Sequence, residues 1–171
     1  MNIRGLLDMQ KYLDMLTQYD AEGKLVKPDS VITAPWTILK CQFGCSSYGR
    51  NLCCPPYTPA YDETRIILDS YKTLILFHGT DKKNITHLAV RIAKELFLDG
   101  YYKSLAFGSG PCNLCETCSL ARPCRNSSLA APSMEACGID VFATARKNGF
   151  QINTLRAREE QNHNFGLLLV E

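Results

Sequence analysis

Long apolar runs are missing from this 171-residue chain, and with them any segment of membrane-spanning length. An excess of one charge is missing too. Nineteen Lys and Arg stand against 17 Asp and Glu, for a net charge of +2, and no basic face or tract gathers for a nucleic acid. The RAREEQNH stretch mixes signs and reads as a solvated face. Histidine is scarce, with three residues, His78, His87 and His163, none near the cysteine clusters; this counts against the zinc site that pairs one cysteine knuckle with two histidines. The opening MNIRGLLDMQKYLDML has no uninterrupted apolar core before a cleavage site, so no export signal is expected and the chain is placed in a reducing cytoplasm. Linker-like stretches and internal repeats are also lacking. With 46% apolar residues, one domain over 1–171 with a real core is expected.

What the chain has in plenty is cysteine, nine in all. A domain of this size does not depend on crosslinks, the count is odd, and the residues are clustered, which points to metal binding or catalysis rather than a disulfide framework. Cys112, Cys115, Cys118 and Cys124 lie in GPCNLCETCSLARPC. Zinc sites pair two knuckles across a longer spacer, whereas three cysteines at one repeated interval suit the corner irons of a [4Fe–4S] cubane. Gly108 and Gly110 let backbone approach the inorganic core. The Arg122-Pro123-Cys124 turn departs from the ferredoxin run, in which the last cysteine follows three residues after the third and precedes proline.

An earlier knot, Cys41, Cys45, Cys53 and Cys54, is followed by Pro55 and Pro56. The residue before a proline is held extended, and neighbouring residues of an extended chain point to opposite sides. Cys41, Cys45 and Cys54 are therefore the favoured ligands, with Cys53 packing inward or spare. The fourth position has competing solutions: Cys53 despite the geometry, Cys137 from SMEACGID, or an iron left open to water or substrate. A ligand exchange is a further one, in which Cys54 joins Cys112, Cys115 and Cys118 while Cys124 joins Cys41 and Cys45. A lone cysteine beside Ala136 reads more simply as a buried apolar residue.

Apolar spacing predicts helices over 5–18, 62–71 with Asp62 as N-cap, 84–98, and one or two short ones before Gly149. Strands are expected in 24–40 (including 36–39), in TLILFHG, over 102–107, and in INTLRAR and NFGLLLVE. The fold class expected is α/β: a single layered domain with a mixed, largely parallel sheet. Residues 73–107 form its crossover between parallel neighbours. The cysteine loops, 41–59 and 108–126, leave strands at one sheet edge and meet there.

The runs LKCQFGCSSYGRNLCCPPYTP, ETRIILDSYKTLIL, GPCNLCETC and RNSSLAAPSMEACGIDVFATARKNG resemble a family of predicted metal-binding proteins of unknown function from anaerobic microbes, over roughly residues 35–150. The resemblance implies Cys41, Cys45, Cys54, Cys112, Cys115, Cys118 and Cys124 as metal ligands, and leaves Cys53 and Cys137 outside the set. Among other candidates, His78 at a strand end reads as locally hydrogen-bonded rather than a proton donor; Arg50 and Asn51 read as loop solvation rather than donors to sulfur. Asp140 reads as a helix cap, Arg125 as an offset to cluster charge, and Tyr48, Tyr57 and Tyr61 as shields from water. His87, His163, Met134 and Glu135 receive no role. The expected function is an iron–sulfur protein with one or two [4Fe–4S] clusters passing electrons to a redox partner protein. The alternatives are an enzyme with an open iron, for a reduction or for handling sulfur, and a zinc-binding structural module.

Overall fold

Alternation along one strand sets the architecture. In β2 (Leu74–Gly79) Leu74 and Leu76 face one way while Ile75 and Phe77 face the other, and all four are fully buried. A strand buried on both faces needs a layer on each side. The computed structural model describes residues 3–157 and 163–171. On the first side, α1 (Ile3–Thr17) and α4 (Lys82–Leu98) lay helical stripes, Tyr12 and Leu16 with Ile85, Leu88, Ile92 and Leu96, against Ile75, Phe77 and Leu168. On the second, α3 (Tyr61–Asp69) and α5 (Val141–Lys147) cover Leu74, Leu76, Leu167 and Leu169 with Leu68 and Ala145, joined by Met134 and Ile139 from the segment before α5.

The sheet corrects the expected fold class. With β1 (Glu22–Val26), β3 (Leu105–Phe107) and β4 (Asn164–Leu169), its order is β1-β2-β4-β3, and every pairing is antiparallel rather than largely parallel. A helical crossover does join β2 to β3 through α4, and those strands run the same way, but β4 lies between them. Burial explains the insertion. Phe165 and Leu167 to Leu169 are all buried, and a strand with two apolar faces belongs in the middle of a sheet. Register is pinned where Gly166 stands opposite Phe77, since a Cβ there would lie 2.4 Å from the Phe77 ring.

A second correction concerns 36–39, which is helix. α2 (Trp36–Gly44) starts behind Pro35, whose fixed φ and missing N–H suit a helix start. Its exposed Trp36, Leu39 and Phe43 give it no buried stripe for a period to reveal. The strand in this region is the earlier β1, followed by a 3-10 turn, Pro28–Ser30. No strand forms over 152–157, and most of RAREEQNH lies outside the described residues. The N-cap of α3 is Ala60, whose N–H donates to the Glu63 carboxylate at 2.9 Å, with Asp62 inside the helix. Asp140 caps α5 as expected, accepting from the Ala143 N–H at 2.9 Å.

The segment 133–140 ties the two cysteine loops together. Ser133 bridges Gly108, where β3 has just ended, and Ile139 bridges Thr33, ahead of α2. The Ala34 N–H donates to the Gly138 carbonyl and the Asp140 N–H to the Ile32 carbonyl, both at 2.8 Å. Gly138 is left-handed at φ 80, and a Cβ on it would meet the Tyr61 Cα at 2.5 Å. Gly138→Ala is therefore expected to cost about 1–3 kcal/mol. Gly44→Ala, where nothing lies within 4 Å, is expected to be neutral or stabilising. Chemical denaturation of the two variants checks the contrast.

Candidate metal centre

The earlier cysteine loop is built on a helix end and two turns. Cys41 sits in α2, and Cys45, just past its end, donates its N–H to the Cys41 carbonyl at 3.1 Å. The chain then folds back so that the Gly49 N–H meets the Pro55 carbonyl at 2.8 Å, with Gly49 left-handed at φ 67. Cys54 closes one turn by donating to the Asn51 carbonyl and opens the next by accepting from Tyr57. Asn51 organises this corner. It is buried, its Oδ1 accepts the Cys53 N–H at 3.1 Å, and its side chain works to lower the Cys54 pKa.

Cys53 and Cys54 are both buried and have different surroundings. Burial raises the Cys54 pKa most, and the thiols of Cys45, Cys41 and Cys112 add to the rise. Burial likewise raises Cys41, with Cys45 and then Glu135 adding to it. Burial pushes Cys53 up to about 12, and the neighbouring thiols Cys112, Cys124 and Cys54 add to the rise. Thiols raised by burial and by each other are protonated at neutral pH; a bound cation reverses that balance.

The later loop is anchored at its root by α4. The Ser109 N–H donates to the Thr86 hydroxyl at 3.0 Å, and a Cβ on Gly108 would strike that same hydroxyl at 2.4 Å. The Gly108 N–H bonds the Pro132 carbonyl, which brings the far end of the loop back beside its start. Between these ends lies a cavity of about 20 Å³, lined by Cys112, Cys115, Cys118, Cys124 and Asn126 and, from the earlier loop, Cys53. Five thiols thus share one cavity whose lining contains no histidine and no carboxylate. Such a donor set suits soft, thiophilic metal centres.

Hydrogen-bond donors already point at these sulfurs. Asn126 Nδ2 lies 3.0 Å from Cys115 Sγ. Backbone N–H groups of Leu120 and then Leu52 lower the Cys118 pKa, and Arg125 lowers it further. Leu120 is left-handed at φ 56, an uncommon conformation for leucine. The thiols do not close on a point: among the described residues, no three His, Cys, Asp or Glu side chains form a group that could hold a metal ion.

The seven residues expected as ligands fall into two neighbouring sets. Cys41, Cys45 and Cys54 are mutual neighbours, and Cys112, Cys115, Cys118 and Cys124 line the cavity. Cys137 is fully buried in the apolar layer with Met134 and Ile139, and burial raises its pKa strongly. Sequence reasoning underrated Asn51 and passed over Asn126; both are asparagines inside the cysteine runs, and only burial separates them from loop solvation. His78 and His163 pair with each other at 2.8 Å, and His87 is exposed. Arg50 is exposed, while Tyr48 and Tyr57 are half-buried.

Asn51→Ala leaves the buried Cys53 N–H without its acceptor, and a loss of about 1–3 kcal/mol is expected from the urea midpoint of the metal-free chain. No curated protein and no solved structure matches this chain. A family model does, over residues 24–170, well beyond the cysteine loops, and the chain belongs to that family, the predicted metal-binding proteins DUF2284.

Proposed function

We propose that the cysteine loops hold one or two [4Fe–4S] clusters and that the protein exchanges electrons with a partner protein. The observation that carries this reading is the five thiols that line one cavity, with amide N–H groups directed at its sulfurs. The repeated spacing of Cys112, Cys115 and Cys118 supports a cubane over zinc.

A cluster bound here would supply one-electron chemistry. The chain's own residues do the rest. Cys112, Cys115, Cys118 and Cys124 offer thiolates, and Cys41, Cys45 and Cys54 offer three more beside them. Asn126 and the Leu52 and Leu120 N–H groups hold negative charge on sulfur, which together with Arg125 raises a reduction potential. Cys45 is exposed and the later-loop cysteines are partly so, which keeps the site near the surface a partner would reach. The present cavity has room for about one water.

A second reading is favoured by one observation: the group of Cys41, Cys45 and Cys54 counts three thiols, with Cys53 beside Cys112 instead. Three protein ligands leave a position open to substrate, and the protein would then be an enzyme performing a reduction or a sulfur transfer. Added cyanide or thiol separates the two, since it perturbs the reduced spectrum only where an iron is open.

The protein purified without oxygen is expected to be brown, with iron and acid-labile sulfide in equal amounts. Cys124→Ser is expected to lose one cluster's share of both, and Cys137→Ser none. A colourless chain carrying zinc and no sulfide would make the protein a zinc-binding structural module instead.

A further inference from the structure

We propose that Cys53 is a metal ligand of the later cavity, so that two neighbouring residues, Cys53 and Cys54, serve different sites. The inference rests on the metal-binding reading above and gives the later cavity a ligand that the sequence offered only to the earlier knot and that the family resemblance leaves out.

Burial alone gives Cys53 no role, because a buried thiol is an ordinary apolar residue. Its company does. Cys137, the other buried cysteine outside the expected set, belongs to the apolar layer under the sheet. Cys53 is as buried as many core residues, at 8% exposure, yet it belongs to neither apolar layer. Its surroundings are rich in sulfur: it lines the cavity with Cys112, Cys115, Cys118 and Cys124.

The backbone around it is arranged to the same end. Asn51 holds the Cys53 N–H, and the N–H of the intervening Leu52 reaches Cys118 across the gap between the loops. Residues 51–53 thus form a wall of a cavity whose remaining lining lies more than fifty residues further along the chain. The turn at Cys54 sends the next thiol toward Cys41 and Cys45. Five sulfurs then surround this cavity, one more than a four-ligand site uses. Adjacent residues are 3.8 Å apart at Cα, so ligands taken from both sides of this peptide would hold two metal centres close together.

The test counts iron, zinc and acid-labile sulfide per chain in anaerobically purified wild type, Cys53→Ala, Cys115→Ala and Cys137→Ala. Cys53→Ala is expected to lose as much metal as Cys115→Ala, and Cys137→Ala to keep the wild-type amount. Cys53→Ser places an oxygen at the same position and is expected to shift the electron paramagnetic resonance spectrum of the reduced protein. This spectrum decides the matter if Cys53→Ala fails to fold by circular dichroism. Full metal in a folded Cys53→Ala, or a wild-type spectrum in Cys53→Ser, overturns the proposal and leaves the cluster reading standing. A wild-type chain that takes up neither iron nor zinc overturns both.

Discussion

The stitching of residues 133–140 to two distant stretches of backbone is the constraint on which the candidate site depends. One end pairs with Gly108, where the later cysteine loop begins, and the other with Thr33, just ahead of the helix that carries Cys41. Hydrogen bonds from Ala34 and Asp140 close the same junction. Without it the loops would share only a sheet, and the sulfurs of one would have no reason to face those of the other. Met134 and Ile139, fully buried from this short segment, seat it on the sheet, each worth about 1.5–3 kcal/mol of apolar burial. The P-S-M-E-A-C-G-I-D run thus has a structural account: it is the suture between two cysteine loops.

The sheet places that suture through its central strand. β4 fills the gap between β2 and β3, and the later loop leaves from β3 at the edge of the sheet. The central place of this late strand follows from its need for cover on both faces. Gly166 fixes its register by leaving room for the Phe77 ring. Around this rigid centre the cysteine loops are irregular, held by turns, glycines and asparagine side chains rather than by ladders. Such loops can reorganise around a metal while their roots stay fixed.

Much of the architecture was legible from period alone. The helices α1, α4 and α5, the strands β2 and β4, and the cap at Asp140 follow from apolar spacing and turn residues. The helix over Trp36–Gly44 was not, because Trp36, Leu39 and Phe43 are exposed and the segment buries no stripe. The supposed strand over 152–157 was not, because short apolar-polar alternation is weak evidence without a ladder partner. Strand order escaped for a different reason: β4 arrives last in sequence yet inserts in the middle, and no local pattern encodes which gap a strand will fill.

For the site, what the sequence by itself determined is the set of available donors: nine cysteines, eight of them in two clusters, and three histidines. Spacing is a local property, and a thiol's affinity for metal is intrinsic, so both are readable without a fold. Only the tertiary structure decided which sulfurs share a cavity, that Cys137 belongs to the core, and that Cys53 faces Cys112 while Cys54 faces Cys41 and Cys45. Those are contacts between residues far apart in the chain, and their direction is set by two turns and one buried asparagine, which no count of cysteines contains.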